Sequence, residues 1–150
     1  MALSQDFRDL LAVFAAHDVS YVIVGGYAVG FHSTPRFTKD IDIFVGQNPA
    51  NLSRVATALA EFGAPEHVLE HLRMLQDGEI LYLGVPPARI DIFRTLPGVD
   101  FDAAFAHRVK TSWDGVAVSI IDRNRLIASK RATARKIDLF DIENLERDPK

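Results

Sequence analysis

Two short segments of the chain alternate charged residues with apolar ones, which is the pattern of a half-buried β-strand. Residues 40–44 read Asp-Ile-Asp-Ile-Phe, and residues 89–93 read Arg-Ile-Asp-Ile-Phe. Side chains two residues apart share one face of a strand, so Asp40 and Asp42 point the same way while the isoleucines point into a core. If the two strands are neighbours, Asp91 can join the aspartate pair.

These three aspartates are the predicted catalytic and metal-binding residues. Neighbouring carboxylates repel one another, and burying any of them is costly unless a cation neutralises the charge. Mg²⁺ binds carboxylate oxygens together with waters and substrate phosphates, and three convergent carboxylates suit a site for two such ions. The alternatives are a solvated acidic face on an edge strand for Asp40 and Asp42, and an ion pair with Arg89 or Arg94 for Asp91.

A glycine pair follows the apolar strand that we predict at residues 21–24. Gly25 and Gly26 let the backbone approach a ligand closely, and the start of a helix after them would offer free N–H groups to a phosphate. We therefore predict that both glycines bind a nucleotide. An ordinary turn between a strand and a helix is the alternative.

The polar loop before the first aspartate carries further candidates for nucleotide binding. Arginine grips phosphate bidentately and lysine acts as a point charge, so Arg36 and Lys39 are predicted to meet a triphosphate. Thr38 lies between them and either joins this group or bonds to the local backbone. A solvated loop with ordinary charges is the alternative.

Length and composition limit the class of protein. The chain has 150 residues, 48% of them hydrophobic and 25% charged, so we expect a single globular domain over residues 1–150. The absence of cysteine excludes a disulfide scaffold and a cysteine-ligated zinc site. A net charge of −3 argues against broad, nonspecific binding of nucleic acid. We see no signal peptide and no apolar run of about 20 residues, which predicts a cytoplasmic protein outside the membrane.

The spacing of apolar residues predicts a mixture of helices and strands, and hence an α+β or α/β fold. Helices are expected at residues 5–17, 27–32, 49–62, 122–135 and 136–147, and strands at residues 21–24, 41–45, 80–83, 88–93 and 116–121. Two stretches, 64–79 and 97–110, are ambiguous, with a helix favoured near residues 100–108.

Together these segments resemble the nucleotidyltransferase superfamily of the DNA-polymerase-β type. The likeness is to small bacterial nucleotidyltransferase-like proteins related to the toxins of type IV (AbiE-type) toxin–antitoxin systems. It spans about residues 20–146 and implies a nucleotidyltransferase fold, with a small mixed sheet flanked by helices. The matching motifs are Gly-Gly-x-Ala at 25–28, Pro-Arg-x-Thr-x-Asp-Ile-Asp at 35–42, Arg-Ile-Asp-Ile at 89–92 and a basic and acidic helix at 130–141.

The resemblance also implies roles for the C-terminal segment. Lys130 would reach a phosphate, and Asp138 and Asp141 would brace basic side chains. We add Arg135, on the same basic stripe, to the predicted nucleotide-binding residues. The alternative for all of them is a set of surface ion pairs at helical spacing.

The same segment departs from the family pattern at two positions. The family usually has glycine and proline where this chain has Ala134 and Ile137. Both residues favour a helix that continues rather than breaks, so the family pattern does not fix the angle of the last segment. That leaves the placement of Lys136 and Asp138 open.

Two functions of different class follow from these residues and the resemblance. The first is Mg²⁺-dependent transfer of a nucleoside monophosphate from an NTP to a hydroxyl of an RNA, a protein or a small molecule; the family implies a tRNA 3′ end. A partner protein or a homodimer mate would supply the surface for a large acceptor. The second is a non-catalytic nucleotide-binding or protein-interaction module within a toxin–antitoxin pair.

Overall fold

The computed structural model describes residues 3–36 and 38–147, which form seven helices and six strands. No helix among these residues combines the length and the apolar character needed to cross a bilayer. In chain order the elements are α1 (Gln5–Ala16), β1 (Tyr21–Val24), α2 (Gly25–His32), β2 (Asp40–Val45), α3 (Pro49–Phe62), α4 (Glu66–Arg73), β3 (Leu81–Leu83), β4 (Arg89–Phe93), α5 (Phe101–Ala106), β5 (Val109–Trp113), β6 (Val116–Ile120), α6 (Arg123–Thr133) and α7 (Lys136–Arg147).

The strands form one mixed sheet in the order β3-β4-β2-β1-β6-β5. β2 runs parallel to β4 and antiparallel to β1, and β1 runs parallel to β6. In this register Asp42 lies opposite Asp91 on one side and opposite Val24 on the other. The two aspartate strands, β2 and β4, are therefore neighbours. Val24, the residue before Gly25, lies directly beside Asp42 on β2.

Burial of the apolar residues between the aspartates fixes this register. Ile41, Ile43 and Ile92 are 0% exposed and Ile90 is 1% exposed. Each such side chain contributes roughly 2 kcal/mol on burial, and a slip of one residue would turn the carboxylates into the core. The aspartates are thus held on the opposite face of the sheet by the isoleucines beside them.

Most of the predicted elements are confirmed, as is the α+β fold with a small mixed sheet. Pro49 lies in the first turn of α3, and Gly63 ends that helix in the left-handed conformation with φ of +110°. The Asp122 side chain accepts a hydrogen bond from the Arg125 N–H at 3.3 Å and caps α6. Strands β3 and β4, which are consecutive in the chain, pair antiparallel as a hairpin.

In and just after the ambiguous stretches lie two elements that periodicity did not predict and one that it favoured. The favoured helix corresponds to α5, whereas α4 and β5 were not assigned. Helices as short as α4 have little stability of their own and form because they pack, here through Val68, Leu69 and Leu72. Strand β5 lies at the edge of the sheet and buries only Trp113, so its sequence lacks a clear apolar alternation.

The expectation that Ala134 continues a helix is wrong. Helix α6 ends at Thr133, Ala134 takes the left-handed conformation with φ of +49°, and α7 begins at Lys136. The break brings Asp138 and Asp141 of α7 back against Lys130 of α6. Local helix propensity is a weak preference, and the ion pairs made by the folded-back segment outweigh it.

Replacing Ala134 with glycine is expected to stabilise the protein. Alanine in the left-handed region is strained by its Cβ, whereas glycine adopts that region freely, so the gain is about 1 kcal/mol. Denaturant unfolding of the variant would measure it. The control is Ala56→Gly inside α3, which we expect to lose about 1 kcal/mol. A loss of stability in Ala134→Gly would contradict the assigned conformation.

Candidate active site

A cleft of about 400 Å³ opens over the polar face of β2 and β4. Helices α6 and α7 contribute Ser129, Thr133 and several charged residues to its wall, and Gly25 at the start of α2 also lines it. The cleft therefore combines the aspartate strands, a helix start and the basic C-terminal segment. Among the described residues, its charged lining consists of Asp40, Asp42, Arg89, Asp91, Lys130, Arg135 and Asp138.

The carboxyl of Asp42 is strongly perturbed by its surroundings. Burial raises its pKa to about 7, aided by the charge of Asp91, a hydrogen bond with Asp91 and the charge of Asp40, while Lys130 acts in the opposite direction. Two carboxylates this close cannot both ionise cheaply, so the Asp42 carboxyl holds its proton up to about neutral pH. A cation placed against the pair would remove the need for that proton.

The Arg89 guanidinium supplies positive charge to Asp40 and Asp91. Its Nε donates to Asp91 Oδ1 at 2.8 Å, and its Nη2 donates to Asp91 Oδ2 at 3.0 Å and to Asp40 Oδ2 at 2.9 Å. The guanidinium also lies 4.8 Å from the centroid of the Tyr82 ring. Arg89 thus bridges two of the three carboxylates, in the position between them.

The donor chemistry of the cleft fits Mg²⁺, with one contact that has to change. Carboxylate oxygens are the ligands this ion prefers, and the raised pKa of Asp42, caused by burial and by the charges of Asp91 and Asp40, marks an excess of negative charge. Among the described residues, however, no three acidic or histidine side chains already converge as a group able to hold a metal ion. Because the Arg89 guanidinium bridges Asp40 and Asp91, a metal shared by these carboxylates requires that side chain to move.

A buried ionic network joins α6 to α7 beside the aspartates. Lys130 Nζ lies 3.1 Å from Asp141 Oδ2 and 3.6 Å from Asp138 Oδ1. Lys130 is 7% exposed and both aspartates are 0% exposed, so the alternative of surface ion pairs is wrong for these three residues. Burial alone would raise the pKa of Asp138, but hydrogen bonds from Arg135 and Thr133 outweigh it and hold that pKa well below its usual range.

Arg135 is oriented by this network. Its Nε donates to Asp138 Oδ2 at 2.8 Å and its Nη2 donates to Asp138 Oδ1 at 3.1 Å, while the Thr133 hydroxyl donates to Oδ2 at 2.7 Å. The Arg135 side chain is nevertheless 68% exposed. Lys130 and Arg135 therefore both line the cleft, the first buried and the second open to solvent.

The predicted loop residues lie apart from the cleft lining. Arg36 makes a two-pronged pair with Asp141, with distances of 3.0 Å from Nε and 3.1 Å from Nη2. Thr38 donates to the backbone oxygen of Asp40 at 3.1 Å, which matches the backbone alternative, and Lys39 is exposed. Arg36 therefore pairs with Asp141 of the α6–α7 network and does not line the cleft of Asp40, Asp42 and Asp91.

Both glycines are required by close packing of protein side chains. A Cβ on Gly25 would lie 2.0 Å from Asp42 Oδ2, and a Cβ on Gly26 would lie 2.9 Å from the Thr38 Cβ. Gly25 also has φ of +65°. Gly25 lines the cleft, whereas Gly26 packs against Thr38 outside it.

Replacing Gly25 with alanine is expected to destabilise the protein by about 2–4 kcal/mol, through both a steric clash with Asp42 and backbone strain. Gly115→Ala is a matched control, because Gly115 has φ of +79° with open space around its Cβ position. Denaturant unfolding of both variants separates the two effects. Equal losses in the two variants would show that the clash with Asp42 costs nothing.

Arg89 and Tyr82 are the site residues that the sequence analysis did not assign to ligand binding. Arg89 was considered only as an ordinary pairing partner of Asp91. The signal was present, because Arg89 lies two residues before Asp91 and therefore shares its strand face. Tyr82 lies opposite Asp91 in the register of β3 and β4, which only the pairing reveals.

Comparisons with known proteins agree with this architecture. The family model described as nucleotidyl transferase AbiEii toxin, type IV toxin–antitoxin system, matches residues 8–130. No curated protein matches the chain. The crystal structure of the lincosamide antibiotic adenylyltransferase LnuA with lincomycin bound matches with a TM-score of 0.54 and 15% identity, over 97% of this chain and 98% of that chain. The crystal structure of an antigenic nucleotidyltransferase-like protein from Paracoccidioides brasiliensis matches with a TM-score of 0.52 and 16% identity, over 95% of this chain and 77% of that chain.

The two kinds of match carry different weight. At 15% and 16% identity, the solved structures show a shared fold, and that fold is the one of nucleotidyltransferases. The family model covers most of the chain, including the glycine pair, all three strand aspartates and Lys130. The chain therefore belongs to the AbiEii nucleotidyltransferase family of type IV toxin–antitoxin systems.

Proposed function

We propose that this protein transfers a nucleoside monophosphate from an NTP to a hydroxyl group, with Asp40, Asp42 and Asp91 as the metal-binding and catalytic residues. The observation that carries the proposal is the pairing of Asp42 with Asp91 across neighbouring parallel strands, next to the start of α2. Such a group of carboxylates is costly to assemble without a cation to neutralise it. Membership in a nucleotidyltransferase family supports the same reaction.

The charged groups of the cleft suit different parts of a metal-bound NTP. The start of α2 has no side-chain cap and presents backbone N–H groups at Gly25, which suits phosphate. Lys130 and the exposed Arg135 line the same cleft and offset the charge of the pyrophosphate. When bound, Mg²⁺ would neutralise the phosphates and the carboxylates of Asp40 and Asp42.

In the proposed transfer step, one bond to the α-phosphorus replaces another. The acceptor oxygen forms a bond to the α-phosphorus, the bond from that phosphorus to the bridging oxygen breaks, and pyrophosphate leaves with the electron pair. Asp91 accepts the proton of the acceptor hydroxyl, as a carboxylate within the same cleft. Positioning and charge stabilisation supply most of the rate acceleration in reactions of this kind.

A second candidate is a non-catalytic nucleotide-binding or protein-interaction module of a toxin–antitoxin pair. The observation that favours it is the Arg89 bridge, because a permanent internal cation between Asp40 and Asp91 would replace the metal. In that case the aspartates and Arg89 are a structural ion cluster. A partner protein would then carry the function.

Incubation with each α-labelled NTP, Mg²⁺ and an extract containing RNA, proteins and small molecules tests the proposal. We expect label to move from one NTP to one acceptor class, and to stay on the NTP in the presence of EDTA. The acceptor, whether an RNA such as tRNA, a protein or a small alcohol, is identified by the labelled fraction. Absence of transfer from all four NTPs, with a stable protein complex recovered from the same extract, would favour the module.

A further inference from the structure

A second pocket, of about 340 Å³, adjoins the aspartate cleft and is apolar where the cleft is charged. The two share Ile80, Phe93 and Leu96 in their linings, so they are parts of one continuous depression. Pro97 completes the apolar wall. Ile80 is 37% exposed, which leaves this surface open to a ligand.

The polar groups of this apolar pocket are bound to its own loop. Thr95 Oγ1 accepts a hydrogen bond from the Gly78 N–H at 2.8 Å, and Glu79 Oε1 accepts one from the Gln76 N–H at 2.7 Å. Of the described residues that line the pocket, Glu79 alone is charged. A ligand here is therefore held by apolar contact, beside a negative charge.

The position of the pocket relative to Asp91 indicates which part of a reaction it would serve. Across the sheet, the order is Val24 at the end of β1 with Gly25 after it, then Asp42 on β2, then Asp91 on β4, then β3. Phe93 follows Asp91 by two residues on the same face of β4, so their Cα atoms lie roughly 7 Å apart. The apolar pocket thus lies beyond Asp91, on the side away from the helix start at Gly25.

We propose that the apolar pocket binds the acceptor, and that the acceptor is a small neutral or cationic alcohol with an apolar ring or chain. This inference rests on the proposed transferase function, in which phosphates lie near Gly25 and Asp91 faces the hydroxyl. An RNA backbone calls for basic residues along its path, whereas the charge on this pocket is that of Glu79. The overall charge of −3 agrees with a small acceptor.

Three alcohols that share a phenyl ring and a hydroxyl group, and differ in charge, test the proposal by saturation-transfer NMR. They are phenylalaninol (cationic), 2-phenylethanol (neutral) and phenyllactate (anionic). We expect the cation and the neutral alcohol to bind, and phenyllactate to bind about tenfold more weakly because of Glu79. Ile80→Asn should weaken phenylalaninol about tenfold, as expected for a polar group placed in an apolar pocket.

Two matched variants make the result specific. Val85→Asn changes an apolar side chain that is 74% exposed and lies outside the pocket lining, so it should leave phenylalaninol binding unchanged. Glu79→Gln should remove the discrimination against phenyllactate while 2-phenylethanol binds as before. Equal binding of phenylalaninol by wild type and Ile80→Asn would overturn the proposal, as would its displacement by a short RNA with a free 3′ end.

Binding of each of the four NTPs with Mg²⁺, measured in the same samples, separates this inference from the function on which it rests. Binding of an NTP without binding of any of the three alcohols overturns the acceptor pocket and leaves nucleotidyl transfer intact. Alcohol binding at Ile80 without binding of any of the four NTPs overturns nucleotidyl transfer, and with it the acceptor role of the pocket. Binding of both ligands at once supports both.

Discussion

Replacing Asp42 with asparagine is expected to lower the rate of nucleotidyl transfer by about a thousandfold and, at the same time, to stabilise the metal-free protein above neutral pH. The rate falls because a carboxylate that holds a metal stabilises the transition state by several kcal/mol, and each 1.4 kcal/mol or so of lost stabilisation lowers the rate about tenfold. The variant keeps the size and shape of the side chain. A loss of activity without a loss of structure is therefore the expected signature.

The gain in stability follows from the sign of the pKa shift. Folding raises the pKa of Asp42 from an ordinary value of 3.8 to about 7. Stability from the protonated carboxyl is fully present below a pH of about 4 and is lost as the pH rises through about 7. Asparagine does not titrate, so at pH 8 in EDTA we expect Asp42→Asn to be more stable than wild type by about 1–3 kcal/mol.

Denaturant unfolding at pH 4 and pH 8 measures this difference. The advantage of Asp42→Asn should be present at pH 8 and largely gone at pH 4. Asp102→Asn is the control, because Asp102 is an exposed residue in the first turn of α5 with no part in the cleft. A variant that is less stable than wild type at pH 8 would show that Asp42 is a structural ion-pairing residue.

Replacing Arg89 with glutamine is expected to raise the affinity of the nucleotide-free protein for Mn²⁺, used as a paramagnetic substitute for Mg²⁺. In wild type the guanidinium bridges Asp40 and Asp91, so a metal has to displace it. Without it the affinity should rise on the order of tenfold, the scale on which groups next to a metal alter its binding. The same change should lower the melting temperature in EDTA, because three carboxylates are left with less compensating charge.

Mn²⁺ titration by electron paramagnetic resonance, together with thermal unfolding with and without Mg²⁺, checks both parts. Mg²⁺ should raise the melting temperature of Arg89→Gln more than that of wild type, since a ligand that binds the folded state more tightly stabilises it more. Arg94→Gln is the control, because Arg94 pairs with the exposed Asp77 at 3.0 Å, away from the aspartate cleft. Unchanged or weaker Mn²⁺ binding in Arg89→Gln would mean that Arg89 helps to build the metal site and does not compete for it.

The alternation of aspartate with isoleucine was enough to predict the floor of the cleft. A period of two residues separates the faces of a strand, and the complete burial of Ile41 and Ile43 leaves Asp40 and Asp42 one direction to point. The neighbouring position of Asp91 followed only from the family resemblance, because periodicity does not say which strands pair. The observed register of β2 with β4 supplies that step.

The C-terminal segment was harder to predict because its conformation is decided by contacts distant in sequence. Alanine at position 134 favours a helix locally, yet the chain breaks there so that Asp138 and Asp141 can meet Lys130. Arg36 was placed with the phosphate by its charge alone, whereas in the structure it pairs with Asp141, which is 105 residues away. Neither contact leaves a periodic signal in the sequence.

The central claim is that Asp40, Asp42 and Asp91 form a site for a metal-bound NTP, and calorimetric titration of the four NTPs tests it most directly. We predict that wild type binds at least one NTP in Mg²⁺ but not in EDTA, and that Asp42→Asn loses the Mg²⁺-dependent binding while remaining folded. Binding of that NTP that is equal in Mg²⁺ and in EDTA, or equal in wild type and Asp42→Asn, would contradict the claim. The aspartates would then be an internal ion cluster held together by Arg89.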